Sequence, residues 1–186
     1  MQLNIPNLLT LLRVFLIPVF VVLFYLPTSW ARLACALVFL AASITDWWDG
    51  YLARRLDQTS RFGAFLDPVA DKLMVAAALL LLVEADPRPL VSVPALIIIG
   101  REITVSALRE WMAELGARGK VSVTFIAKVK TVSQMAAIVL MLYQADFMGL
   151  NIYNIGLLFL YIAAVLTLWS MVVYLRAAWP SLTENE

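Results

Sequence analysis

Apolar residues in this chain fall into six long runs, at about residues 8–26, 30–51, 61–84, 90–112, 124–143 and 152–175, separated by short polar or proline-bearing breaks. Runs of about 20 residues, at a rise of about 1.5 Å per residue, match a hydrocarbon layer roughly 30 Å thick. The runs lack the alternation of a barrel strand, and an open sheet cannot satisfy its edges in lipid, so all six read as helices. Pro27, Thr28 and Ser29 predict a tight turn after the first run, and Asp86, Pro87, Arg88 and Pro89 break the third from the fourth. Leu52 to Ser60 reads as a polar connection, with Thr59 or Ser60 as an N-cap. Pro18 predicts a mild kink in the first helix, and Pro68 falls near the start of the third, where proline is tolerated. Ahead of the first run, Asn4, Pro6, Asn7 and Thr10 interrupt apolar positions and predict a short helix lying in the membrane interface. The expected fold is an all-α polytopic membrane protein in one domain over residues 1–186, with six transmembrane helices preceded by that interfacial helix. The sequence has no internal repeat.

Composition agrees, since 63% of the 186 residues are hydrophobic and 15% charged, against about half and a quarter in soluble domains. A net charge of +1 with no polybasic tail gives no reason to expect a nucleic-acid partner, so partners are sought in membrane lipid. The chain contains no histidine, which excludes every mechanism built on imidazole. Cys35 is the single cysteine, set mid-run in A-C-A-L-V-F-L; it offers neither a disulfide nor a thiolate metal site and reads as packing. No small-residue cleavage site follows the first apolar run before Pro27, so that run is expected to remain as a span rather than leave as a signal peptide.

The charges inside the runs change the picture most. Asp46 and Asp49 stand three apart at the end of the second helix, and Asp67 and Asp71 four apart on the third, so each pair shares a helical face. An unpaired charge at such depth costs at least roughly 2.5 to 3.5 kcal/mol, so the four carboxylates call for a cation. A cluster of hard oxygen donors without His or Cys suits Mg²⁺ or Mn²⁺ rather than Zn²⁺. Gly50 and Gly63 leave room for a bulky group near the backbone, and Arg54 can neutralise an anion, so a metal-bound phosphate ester is the expected occupant. Asn7 and Thr10 are three apart and either face the site or act as caps. Solvated helix termini are the plain alternative for any one acidic pair, but they do not account for four carboxylates, two glycines and an arginine flanked by apolar spans.

Arg101 and Glu102 lie in the interior of the fourth run, with Arg109 nearer its end, and Lys128 and Lys130 open the fifth. Charge at that depth reads as a site, with a structural Arg101–Glu102 bridge as the alternative. Of the fourteen Lys and Arg, only Arg32 and Arg88 fall opposite the N-terminal, second-loop, fourth-loop and C-terminal side. The positive-inside rule therefore predicts that both termini, and the aspartates, are cytoplasmic.

Written as D-x2-D-G-x2-A-R-x8-G-x3-D-x3-D, the stretch Asp46 to Asp71 resembles the signature of the CDP-alcohol phosphotransferase family at every fixed position. The resemblance implies transfer of a phosphatidyl or related group from a CDP-linked donor to an alcohol, with CMP released and two divalent metal ions bound. It implies that Asp46, Asp49 and Asp67 are metal ligands, that Asp71 is both ligand and general base, and that Gly50, Ala53, Arg54 and Gly63 match the nucleotide-binding positions. The segments Asn4 to Arg13, Phe62 to Lys72, Arg101 to Gly116 and Ala127 to Thr131 are similar to bacterial members that use sn-glycerol 3-phosphate as acceptor and CDP-diacylglycerol as donor. That similarity implies phosphatidylglycerol and cardiolipin synthesis, a homodimer, and the inner membrane of a Gram-negative-type bacterium. Arg101, Arg109, Lys128 and Lys130 are then the candidates for the acceptor phosphate. Another acceptor, such as inositol phosphate or serine, is the alternative within the family. A membrane prenyltransferase normally needs a second aspartate-rich motif, and no Asp occurs between Asp86 and Asp146; a cation transporter has no use for Arg54, Gly63 and the basic cluster.

Overall fold

The computed structural model describes residues 5–56, 61–114, 125–145 and 149–183. They form six helices: α1 Ile5–Tyr25, α2 Ala31–Leu56, α3 Arg61–Ala85, α4 Pro89–Glu114, α5 Phe125–Tyr143 and α6 Ile152–Thr183. Among the described residues, three stretches are long and apolar enough to cross a membrane, Leu8–Tyr25, Pro89–Met112 and Ile152–Arg176. In α2 the comparable stretch, Ala31–Thr45, stops where the aspartate motif begins.

Four boundaries differ from the sequence reading. No break separates Ile5–Thr10 from the first span: Pro6 sits in the opening turn, where its missing N–H costs nothing, and α1 runs on without interruption. Ile5–Thr10 thus forms the opening of α1, and Met1 to Asn4, the rest of the expected interfacial helix, lie outside the described residues. Helix α2 continues past Tyr51 to Leu56, because Leu52, Ala53, Arg54 and Arg55 are all good helix formers; the polarity of that segment concealed its propensity. Helix α4 ends at Glu114 rather than Met112. Helix α6 passes Leu175 to reach Thr183, with no glycine or proline before Pro180 to stop it.

The helices run up and down, with side chains joining the connections at one end. There the Tyr25 hydroxyl donates to Glu84 at 2.6 Å and the Tyr153 hydroxyl to Asp86 at 2.5 Å, while Arg88 Nη2 meets the same Asp86 oxygen at 2.6 Å. The Arg88 guanidinium, with help from Tyr153, holds the half-buried Asp86 carboxyl well below the usual carboxylate range. The ends carrying Asp71 on α3, Arg109 on α4 and Lys130 on α5 lie opposite.

Helix α5 packs most extensively on α6, α1 on α2, and α4 on α6, while α2 and α3 also touch. Phe20, Phe39, Leu79, Leu82, Ile98, Ile138, Met141 and Leu160 fill the middle of the bundle. The Phe20 and Phe39 rings meet tilted at 6.3 Å between centroids, and the buried Cys35 thiol donates to the Phe20 carbonyl, as expected of a packing residue. Alanines 36, 42, 70, 78, 95, 137, 163 and 164 are buried; in lipid, where apolar side chains gain little by leaving the solvent, small residues let backbones approach. Outward faces are apolar too, with Leu96, Ile103, Val132 and Val165 exposed by 63 to 72%.

Gly156 makes the α5–α6 contact possible. A Cβ there would lie 2.7 Å from Met141 Cγ, 3.0 Å from Met141 N and 3.1 Å from Ala137 O, and the last two are backbone atoms that cannot swing aside. Gly156→Val is expected to destabilise the protein by about 1 to 3 kcal/mol, read as a lower unfolding midpoint in detergent; an unchanged midpoint would show that the two helices can separate freely.

Candidate functional site

The acidic motif is divided between two helices. Asp46 and Asp49 lie on α2 and Asp67 and Asp71 on α3, and the two helices pack against one another. The backbone at Asn7, Asp46, Asp49, Gly50, Ala53, Arg54 and Asp67 is helical, but their side chains lie outside the described residues. Gly63 and Thr10 are buried and Asp71 is half-buried. Arg13, one turn beyond Thr10 on α1, is only 1% exposed, so α1 carries a buried cation, and that helix packs on both α2 and α3.

Asp71 lines a cavity of about 400 Å³ bounded by α3, α4, α5 and α6. The charged residues around it are Asp71, Lys72, Arg101, Glu102, Arg109 and Lys130: four cations and two carboxylates, a formal charge of +2. Leu73, Val75, Ile98, Ile99 and Ile103 give it an apolar wall, and a low-dielectric wall strengthens the field of the fixed charges. A larger void of about 900 Å³ lies at the opposite end beneath the α1–α2 connection; its lining has Arg32 as a single cation and no carboxylate, so it carries none of the site chemistry.

Within the cavity the charges form one network. Glu102 Oε1 accepts from Arg101 Nη1 at 2.9 Å and from Lys130 Nζ at 2.7 Å. Arg101 Nη2 reaches Ser170 Oγ at 3.2 Å, while Arg101 Nε is buried without a hydrogen-bond partner. Arg109 Nη2 donates to the Tyr174 hydroxyl at 3.2 Å. The Tyr174 ring faces both guanidiniums, 5.6 Å from Arg101 Cζ and 5.4 Å from Arg109 Cζ. Lys72 Nζ donates to Ser106 Oγ, whose hydroxyl donates back to the Glu102 carbonyl at 2.6 Å.

Of the four basic residues singled out on α4 and α5, Arg101, Arg109 and Lys130 are gathered here with Asp71. Lys130 is 6% exposed, whereas Lys128 is exposed and outside the cavity lining. The Arg101–Glu102 bridge, the alternative reading of these charges, is present, and Lys130 shares it. Sequence reasoning missed Lys72, Ser170 and Tyr174. Lys72 adjoins Asp71, and its cation was there to count. Thr167, Ser170 and Tyr174 mark one face near the end of the apolar stretch Ile152–Arg176 at spacings of three and four, a pattern that identifies a polar stripe.

Six packed helices with apolar outward faces and a charged cavity toward one end define a helical membrane protein. The CDP-alcohol phosphatidyltransferase family model matches residues 3–169, and the chain belongs to that family. Its relatives include a protein of Sodalis glossinidius (strain morsitans), 57% identical over 185 residues and covering the whole of both chains. Similar proteins of Yersinia pestis (strain Pestoides F) and Pectobacterium atrosepticum are 55% and 57% identical over 184 residues, 99% of this chain and 100% of theirs. All three are named CDP-diacylglycerol--glycerol-3-phosphate 3-phosphatidyltransferase.

Proposed function

We propose that this protein transfers the phosphatidyl group of CDP-diacylglycerol to sn-glycerol 3-phosphate, giving phosphatidylglycerophosphate and CMP. The observation that carries this reading is the cavity that sets the Asp71 carboxylate beside Arg101, Arg109 and Lys130. A phosphomonoester carries nearly two negative charges at neutral pH, and the cavity's formal charge of +2 complements it, whereas a neutral alcohol such as serine or glycerol has no use for it.

The donor is held at the aspartate motif, with Gly50, Ala53, Arg54 and Gly63 around the nucleotide and Asn7 and Thr10 from α1 beside it. Asp46, Asp49, Asp67 and Asp71 offer only hard oxygen donors, on two helices that touch, and such a set fits two Mg²⁺ or Mn²⁺ ions. When bound, these ions neutralise charge on the attacking and leaving oxygens. Arg101, Arg109 and Lys130 hold the acceptor phosphate, which leaves its free hydroxyl directed at Asp71. Asp71 takes the hydroxyl proton as the oxygen attacks the β-phosphorus, the phosphorus–oxygen bond to CMP breaks, and CMP leaves. The apolar wall limits water, and with it hydrolysis of the donor.

The same reading makes residues 1–186 one domain of six membrane spans in the bacterial inner membrane, homodimeric, with both termini and the active site cytoplasmic. The basic-residue asymmetry supports that orientation. Single cysteines at Gln58 and Arg118 in a Cys35→Ser background are expected to react with impermeant thiol reagents from the cytoplasmic side only, and one at Arg88 from the other side only. Reversed labelling would place the site away from a cytoplasmic nucleotide lipid.

The deciding test of the reaction is CMP release from CDP-diacylglycerol by purified protein, compared across acceptors. Glycerol 3-phosphate should support it, and inositol phosphate, serine and glycerol should not. Equal use of those acceptors would refute the acceptor, and no CMP with any of them would refute the reaction class. Loss of one charge-assisted contact is worth about 1.5 to 3 kcal/mol, so Arg101→Ala or Lys130→Ala should raise KM for glycerol 3-phosphate roughly 10- to 150-fold with little change for CDP-diacylglycerol. Lys128→Ala, on the exposed neighbour, should change it less. Equal effects on both substrates would remove these cations from the acceptor pocket.

A further inference from the structure

We infer that Tyr174 is a positioning residue that fixes the two guanidiniums of the acceptor pocket, and that through it α6 sets the preference for a phosphomonoester; this rests on the acceptor reading above. Arg101 and Arg109 lie eight residues apart on α4, about two turns, so both project from the same side of that helix. On α4 itself Glu102 holds only one arm of Arg101, at 2.9 Å, so that helix does not set where both guanidiniums end. Helix α6 does. Its Tyr174 ring lies 5.6 and 5.4 Å from the two Cζ atoms, its hydroxyl accepts from Arg109 Nη2 at 3.2 Å, and Ser170, one turn earlier, accepts from Arg101 Nη2 at 3.2 Å.

An aromatic face attracts a cation without neutralising it. Arg101 already shares a carboxylate with Lys130; a second carboxylate in place of Tyr174 would cancel the field a phosphate needs, while an aliphatic side chain would leave the guanidiniums free to swing. Tyrosine keeps the cations charged and aimed at the cavity, which lowers the ordering cost of binding an anion. Both α6 residues lie just beyond residues 3–169, the part that the family model matches.

Initial rates of CMP release, with each substrate varied in turn, test this on wild type, Tyr174→Phe and Tyr174→Leu in detergent micelles. Tyr174→Leu should raise KM for glycerol 3-phosphate roughly 5- to 30-fold, as expected for losing cation–π contacts to one buried guanidinium, Arg101, and one exposed, Arg109. Its KM for CDP-diacylglycerol should stay within about twofold of wild type on the same scale. Tyr174→Phe keeps the ring and should stay within about threefold of wild type for both substrates, a rescue that a space-filling aliphatic cannot give. The inference is overturned if Tyr174→Leu keeps the wild-type KM for glycerol 3-phosphate, if both KM values rise together, or if Phe loses as much as Leu. Should Tyr174→Leu fail to fold, the Tyr174→Phe result together with Ser170→Ala, which frees one arm of Arg101 and should raise the same KM alone, decides the matter. Wild type that releases no CMP with glycerol 3-phosphate would instead refute the acceptor reading itself, so the two failures are distinct.

Discussion

Asp71→Asn is expected to lower turnover by roughly 10²- to 10⁴-fold, the usual contribution of a positioned general base, while CDP-diacylglycerol still binds. The substitution keeps the shape of the side chain and one carbonyl oxygen but removes the proton acceptor. Asp71 lines the same cavity as Arg101, Arg109 and Lys130, so an acceptor held by its phosphate on those cations presents its hydroxyl toward this carboxylate. Donor binding should largely survive, because Asp46, Asp49 and Asp67 remain and the nucleotide positions lie on α2 and the start of α3. Single-turnover CMP release measures the loss, and equilibrium binding of labelled CDP-diacylglycerol measures what remains. Turnover close to wild type would take the proton-transfer role away from Asp71, and loss of binding in step with turnover would make it a ligand only.

Much of this was legible in the sequence because lipid simplifies the physics. A backbone that must satisfy its own hydrogen bonds leaves helix as the reading of every long apolar run, and a carboxylate at depth must have a reason. Less legible was everything that depends on rotation about a helix axis. Lys128 and Lys130 are two residues apart, about 200° around α5, so at most one can face the cavity, and the packing of α5 on α2 and α6 selects Lys130. Tyr174 was hidden for the same reason: a tyrosine near the end of an apolar span passes for an interface anchor until α6 is seen to turn it toward α4. The length of α2 was hidden differently. Charged Arg54 and Arg55 suggested a loop, yet arginine is a good helix former, and the helix carries both through to Leu56.

Chelation is expected to abolish activity, with Mg²⁺ or Mn²⁺ restoring it and Zn²⁺ doing so poorly. In the proposed donor site, four carboxylates gathered from α2 and α3 would repel one another with no cation between them, and desolvation there would make each ionised form more costly. Divalent metal removes both penalties, so it should bind the folded protein much more tightly than the unfolded chain and stabilise it. At a free metal concentration a hundredfold above Kd the gain is about 2.7 kcal/mol, visible as a higher unfolding midpoint without any turnover. Asp49→Ala deletes a ligand and should lose both the activity and the Mg²⁺-dependent rise in midpoint. It should also be more stable than wild type when both are held in EDTA, since one repelling charge has gone. That reversal separates metal binding from general damage: a variant that is merely misfolded would be less stable than wild type in either buffer. Full CMP release in EDTA, or a midpoint that ignores Mg²⁺ in the wild type, would mean that the four aspartates are held by the protein's own cations.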